Sequence, residues 1–342
     1  MIIGVLTGGG DCPGLNAAIR AVVRRGVSGG HSVLGIRYGW RGLLGASEIF
    51  PLTPREVSGI LPVGGTMLGS SRTNPTKSED QMMQVVANIR RHDIGALAVI
   101  GGDDTLSVAL AVSERGVPVV GIPKTIDNDV WGTDACIGFN TAVTIVAEVL
   151  DRLHTTASAH NHVIVLEVMG REAGWVATVG GLTGGADFIL IPELSSNIEE
   201  VCEHVLKRRA IGKTFSLIVV AEAAQIEGIV EQEVTEKDAF GHVRLEKRNI
   251  GDILAREIEK RTGIEARAIC LGRLQRGGTP TVVDRLIATK LGVAAVEFIE
   301  AGRYGVMAAI RGDDVEAVPL KDVVGRNRLV DLRLHSLSKL FY

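Results

Sequence analysis

The chain has 342 residues, 46% of them hydrophobic and 42 of them glycine, which describes a globular protein too long for one core and excludes a disordered or fibrous one, so two domains are expected. Lys and Arg number 37 against 40 Asp and Glu, and the resulting charge of -3 offers no basic face for nucleic acid or an acidic membrane. Four separated cysteines (Cys12, Cys136, Cys202, Cys270), an opening "MIIGVLTGGG" without a signal pattern and no apolar run of membrane-spanning length together predict a cytoplasmic protein with reduced thiols and no membrane partner.

In chain order, the apolar run "IIGVLTGGG" predicts a first strand, and Leu15, Ala18, Ile19, Val22 and Val23 after Pro13 show helical spacing. "IGALAVIGG" predicts a second strand with a helix from Thr105 to Glu114 behind it, and "VPVVGIP", "HVIVLEVMG" and "FSLIVVAEAA" predict three more strands. The charged stretch from Glu227 to Arg248 reads as a solvated excursion to which no chemistry is assigned. After it, "IGDILAREIEKRTG" predicts a helix closing at Gly263, and "ARAICLG" a last strand. Strand, glycine turn and helix alternate, so the fold class is α/β with mainly parallel sheets flanked by helices, and ligand sites belong at the carboxyl ends of the strands.

The motifs fall at those ends. "TGGGDCPGLNAAIR" joins a strand to a helix through glycines whose free amides suit a phosphate, although a tight turn explains them as well; it is neither a Walker A loop nor GxGxxG. "VIGGDDTLS" crowds Asp103 and Asp104 into a turn. In "PKTIDNDVWGTD", Lys124, Asp127 and Asp129 cluster, and carboxylates at i and i+2 can divide their labour, one holding a divalent cation and the other accepting a hydroxyl proton. Arginines stand beside glycine at three further strand ends: Arg72 in "LGSSRT", Arg171 in "EVMGRE" and Arg276 in "GRLQRGG", with Arg267 and Arg273 nearby. Guanidinium groups fork onto phosphate oxygens. Glu222 ends the run "VVAEAA", where a carboxylate meets sugar hydroxyls or water.

"GGGDCPGLNAAIR", "GGDDT", "PKTIDND", "EVMGR" and "LGRLQRGG", in this order over nearly the whole chain, resemble the 6-phosphofructokinase family, whose members use ATP or pyrophosphate. The resemblance implies two similar α/β domains with the active site in the cleft between them, completed by a neighbouring subunit of a homodimer or homotetramer. The expected phosphate-donor domain is 1–138 plus 275–325, and the expected sugar-phosphate domain 139–274 plus 326–342. By position, Asp127 resembles the base for the sugar 1-hydroxyl, assisted by Thr125, while Asp103 and Asp129 serve a magnesium ion. Arg72 and Arg171 resemble transition-state arginines, and Gly10 lies in the donor loop. Met169, Gly170, Glu222 and Arg276 match sugar-phosphate contacts within a subunit, His162 and Arg267 contacts reached across the interface. The family usually has arginine at 162 and histidine at 273; this chain has His162 and Arg273, an exchange expected to keep one guanidinium and one imidazole at the 6-phosphate.

Family members that use ATP carry glycine where this chain has Asp104, because the nucleotide passes close to the backbone there. A carboxylate at that place repels the nucleotide, and Lys124 offers a cation to a short donor. The expected activity is therefore reversible transfer of a phosphoryl group from diphosphate to fructose 6-phosphate in glycolysis, with an ATP-dependent 6-phosphofructokinase as the alternative. An NAD-kinase or lipid-kinase type is disfavoured by "TIDND", "MGR" and "QRGG", and a non-catalytic sensor by the intact aspartates. Arg20, Arg24, Arg25 and Lys213 fit either a basic effector pocket or exposed helix charges.

Overall fold

The computed structural model describes residues 1–45, 48–230, 234–237, 240–243 and 245–341. Its strands are β1 (Ile2–Thr7), β2 (Ser32–Ile36), β3 (Ile49–Leu52), β4 (Ile94–Gly101), β5 (Val119–Thr125), β6 (Ile137–Gly138), β7 (Val163–Val168), β8 (Phe188–Leu190), β9 (Ser196–Asn197), β10 (Ser216–Ala221), β11 (Ile226–Glu227), β12 (Ala266–Cys270), β13 (Val306–Arg311) and β14 (Asp314–Pro319). The helices are α1 (Leu15–Ser28), α2 (Glu79–Arg91), α3 (Asp103–Ser113), α4 (Phe139–His160), α5 (Trp175–Thr183), α6 (Ile198–Ala210), α7 (Ile250–Thr262), α8 (Val282–Glu300), α9 (Leu320–Val323) and α10 (Leu332–Ser338). Two compact units result: Met1–Ile126, Val130–Thr141 and Arg276–Asn327 form the first, and Asp127–Asp129, Ala142–Gln275 and Arg328–Tyr342 the second.

The first unit is built on an eight-stranded sheet ordered β14-β13-β5-β4-β1-β2-β3, with β6 beside β5. From β2 to β13 the strands run parallel, and antiparallel β3 and β14 finish the two edges. Central β1, β4 and β5 are buried almost throughout, which is why they read as continuous apolar runs. Edge strand β14 alternates exposed and half-buried positions, so its sequence carries no such run. Helix α8 approaches α1 so closely that a Cβ on Gly292 would lie 2.7 Å from the Ala21 Cβ. The fully buried Asp284 near the start of α8 accepts from Gly138 N (2.9 Å), Thr141 N (2.7 Å) and Thr141 Oγ1 (2.5 Å), capping the start of α4. Burial raises its carboxyl above the usual range, opposed by those bonds.

Asp103 and Asp104 were expected in a turn before a helix starting at Thr105, but they form the first turn of α3, with Gly102 at its N-cap. The physical reason is electrostatic: side-chain carboxylates meet unpaired amides and the positive end of the helix dipole, so they extend the helix toward its amino end.

The second unit carries a parallel sheet ordered β12-β7-β10-β8 and a small parallel pair, β11-β9. Val163 and Val165 of β7 and Ile218 and Val220 of β10 share one core with Ile198 and Val201 of α6 and Leu254 and Ile258 of α7. Alternate residues of each strand thus face this helical layer. The two units share the parallel α/β plan but differ in sheet size. Helix α7 ends as expected at Gly263, whose φ of 68° is left-handed.

Candidate active site

In the first unit, β5, β4 and β1 are neighbours, and their carboxyl ends bring three motif segments side by side. Gly8 N donates to Ile100 O at 2.9 Å, joining the glycine loop to the end of β4. Thr105 of α3 fills the space beside both segments: a Cβ on Gly8 would lie 2.6 Å from its side chain and one on Gly101 2.3 Å. Lys124, only 3% exposed, donates its Nζ to Gly10 O at 2.6 Å. Arg276 Nη1 donates to Asp11 O at 3.3 Å, and a Cβ on Gly10 would lie 2.6 Å from that nitrogen. Arg276, expected at the sugar phosphate, therefore rests against the glycine loop of its own unit. Two cations and a turn of backbone amides at Gly10 suit a compact polyanion. Asp103 and Asp104 are half-buried, and Asp103 Oδ1 accepts from Gly325 N at 3.2 Å. Thr125 is half-buried at the end of β5. Arg72 is exposed, on a segment tied to the glycine loop by Gly9 N to Ser71 O (3.0 Å) and Ser70 Oγ to Gly9 O (2.6 Å).

The second unit holds Asp127 and Asp129. Asn128 between them has a φ of 54°, a left-handed conformation that asparagine adopts at less cost than most residues. Arg328 braces this turn, its N donating to Asp129 O (2.8 Å) and its Nη1 to Asn128 O (3.3 Å). The Arg328 guanidinium lies 4.1 Å from the centre of the Trp175 ring, whose Nε1 donates to Arg328 O at 2.9 Å. At the end of β7, Met169 and Gly170 lead to Arg171, again left-handed with a φ of 51°. The buried Glu222 carboxylate accepts from Gly170 N (3.2 Å) and Arg171 N (3.0 Å) and so holds the strained turn.

Sequence reasoning missed two of these supports. Arg248 was placed in a solvated stretch, yet it is buried and donates to Glu222 O (2.9 Å) and Ala224 O (3.0 Å), because carbonyls at the end of β10 need partners once covered. Residues 231–233, 238–239 and 244 of that stretch lie outside the described residues. Arg328 carries no local signal either, since both its partners are far away in sequence.

His162 and Arg267 come together at the other end of the sheet. His162 Nε2 is 3.1 Å from Glu265 Oε2, and Arg267 pairs with the same carboxylate. His162 precedes β7 while Met169 follows it, so the two ends lie roughly 20 Å apart at the usual strand rise. Arg273 sits in the turn Gly272–Arg276 after β12, a strand parallel to β7, and so lies at the carboxyl end with Arg171. Of the four basic residues named as an effector pocket or exposed helix charges, Arg25 pairs with Glu297 and Glu300. Lys213 lines a cavity of about 700 Å³ with His154, Asp187, His204 and Arg208, whereas Arg20, Arg24 and Arg25 do not line it. Among the described residues no three His, Cys, Asp or Glu side chains form a metal cage, none of the four cysteines is in a disulfide, and no helix is long and apolar enough to cross a membrane.

Residues 2–299 match the family model described as phosphofructokinase. The chain is 50% identical over 345 residues to a pyrophosphate--fructose 6-phosphate 1-phosphotransferase of Streptomyces coelicolor, covering 100% of both chains. It is also 46% identical over 331 residues to an ATP-dependent 6-phosphofructokinase of Chloroflexus aggregans, covering 94% of this chain and 91% of that one. The solved phosphofructokinase of Saccharomyces cerevisiae superposes with a TM-score of 0.80 at 30% identity, over 99% of this chain and 46% of the yeast chain.

Proposed function

The chain belongs to the phosphofructokinase family, and from that membership we propose that it transfers a phosphoryl group from diphosphate to the 1-hydroxyl of fructose 6-phosphate, giving fructose 1,6-bisphosphate and phosphate. The observation that carries the choice of donor is Asp104 beside Asp103 in the first turn of α3, together with the buried Lys124 ammonium on the Gly10 carbonyl. A carboxylate repels a nucleotide that passes it, and a fixed ammonium favours a short, highly charged donor. The full-length relative named for pyrophosphate supports the same donor.

The residues of the first unit hold the donor. Amides of the glycine loop, Lys124 and Arg276 receive the diphosphate, and Arg72 offsets charge on the transferring group. Asp127 accepts the proton of the sugar 1-hydroxyl as its oxygen attacks the terminal phosphorus and the bridging P–O bond breaks, releasing phosphate. Thr125 assists from the end of β5, and Arg171, held left-handed by Glu222, offsets charge from the second unit. Met169, Gly170, Glu222 and Arg273 belong to the sugar-phosphate side. Asp103 and Asp129 are the residues that would hold magnesium, carboxylate oxygens being the ligands this ion takes. When bound, the ion neutralises charge on the diphosphate.

Because His162 and Arg267 lie at the opposite end of β7 from Arg171, we assign them to the sugar phosphate of a neighbouring subunit in a homo-oligomer. We assign the protein to the cytoplasm, where four cysteines spaced far apart with no CxxC pair stay reduced. The test is donor competition: purified protein is given fructose 6-phosphate with diphosphate or ATP at equal magnesium, and bisphosphate is measured. Diphosphate is expected to dominate, and phosphate with fructose 1,6-bisphosphate is expected to regenerate diphosphate. A preference for ATP would favour the second reading, which the Chloroflexus relative supports.

A further inference from the structure

Arg72 is exposed and lies in a segment of loop, where an arginine that must meet a developing charge has no regular element to hold it. The segment from Val63 to Ser71 is nevertheless fastened at four places, all within the first unit; one is the turn after β2, where Tyr38 N donates to Leu68 O (2.9 Å) and Ser71 Oγ donates to Tyr38 O (2.6 Å). At β1, Thr7 Oγ1 lies 2.9 Å from Thr66 Oγ1 and donates to Gly69 O at 2.8 Å. At the glycine loop, Ser70 and Ser71 bond both the carbonyl and the amide of Gly9. At α1, Asn16, only 2% exposed, donates Nδ2 to Val63 O (3.1 Å) and Gly64 O (3.2 Å) and accepts Met67 N on Oδ1 (2.7 Å).

The Asn16 bonds have a chemical requirement that few side chains meet. Two carbonyls need two donors and one amide needs an acceptor, all from one short group, which is the inventory of an asparagine amide. Aspartate keeps the acceptor but loses both donors, glutamine is a methylene too long, and an apolar residue takes away the partner of three partly buried backbone groups. Asn16 lies in the "GLNAAIR" helix start directly behind the glycine loop, so one side chain links the element behind the donor loop to the segment that bears Arg72.

We propose that Asn16 is a positioning residue for phosphoryl transfer: it fixes the segment 63–71 so that Arg72 is held in register with the glycine loop. Asn16 touches neither substrate in this account and acts through Arg72. The inference rests on the proposed reaction and on the role given Arg72 in it. A misplacement of about 1 Å costs up to about a hundredfold in rate, so loosening this segment is expected to lower kcat by about tenfold or more and to leave KM for fructose 6-phosphate little changed.

The test is a double-mutant cycle in the full-length enzyme with diphosphate as donor, using Asn16→Asp, Arg72→Ala and the pair. If Asn16 acts through Arg72, Asn16→Asp lowers kcat strongly in the wild-type background and by less than about twofold once Arg72 is gone. A merely structural role lowers thermal stability in both backgrounds alike and leaves the two effects on kcat additive, which would overturn the proposal. Should Asn16→Asp not fold, Thr66→Val loosens the same segment from β1, and the same loss of effect in the Arg72→Ala background is expected. A wild-type enzyme that makes no bisphosphate from diphosphate overturns both the reaction and the role of Asn16, whereas an active wild type with additive variants overturns only the latter.

Discussion

Asp104 stands one residue inside α3 and half-buried, where its carboxylate helps the helix start. Replacing it tests the gate directly. Asp104→Gly is expected to raise the ratio of kcat/KM for ATP over diphosphate by the equivalent of about 1–4 kcal/mol, the range for one charge near a protein surface. Equal ratios in wild type and variant would remove Asp104 from donor selection. Asp127→Asn keeps the shape of a 3% exposed side chain but cannot take a proton, so kcat is expected to fall about a hundredfold or more while KM changes little. Steady-state kinetics in both substrates checks this, and a variant with most of its kcat intact would show that another group is the base. The i and i+2 spacing of Asp127 and Asp129 pointed to carboxylates that divide their labour, whereas the role given Asp104 came only with the resemblance to the family. The bonding of Glu222 was not legible: its position suggested sugar hydroxyls, and only the fold shows its carboxylate on the amides of Gly170 and Arg171.

Among the elements, α6 carries a titration with a clear sign. His204 lies against Phe188 of β8 with ring centres 5.2 Å apart, and burial, helped by Arg208 and Lys207, pushes its pKa down to about 4. Unfolded, the ring binds a proton near the ordinary value of 6.5. Between these values the unfolded chain holds more protons, so the histidine's contribution to stability is complete above 6.5 and is lost as the pH falls toward 4. Denaturant melts of wild type and His204→Gln across this window are expected to show wild type losing stability relative to the variant as acid is added. A constant difference would mean that the ring is protonated as easily in the fold as in water. At this scale the central strands were readable because buried parallel strands are continuous apolar runs. Strands β3 and β14 were not singled out, since a short or half-exposed strand is defined by the neighbour it pairs with.

For the whole molecule, the roughly 20 Å between the two ends of β7 makes a prediction about assembly. If His162 serves the sugar phosphate of a neighbouring subunit while Arg171 serves its own, His162→Ala and Arg171→Ala subunits complement each other. Hybrids formed by mixing and reassociating the two variants are expected to regain part of the wild-type activity, because some of their sites receive both intact residues. Demonstrated hybrids with no recovery would place both residues in the service of one chain. The sequence by itself determined the α/β plan, the motifs that follow β1, β4, β5, β7 and β12 and the kinship with phosphofructokinases, because strand burial, glycine turns and the order of short motifs are written in adjacent residues; the "LGSSRT" segment, expected at a strand end, lies in a loop well after β3. Only the tertiary structure decided that Arg328 braces Asn128 and Asp129, that Arg248 holds the end of β10, that Asp284 caps α4 and that Asn16 fastens the loop before Arg72. Each of these side chains answers a backbone group between 24 and 200 residues away, and a hydrogen bond closed over such a separation leaves no pattern in the residues on either side of it.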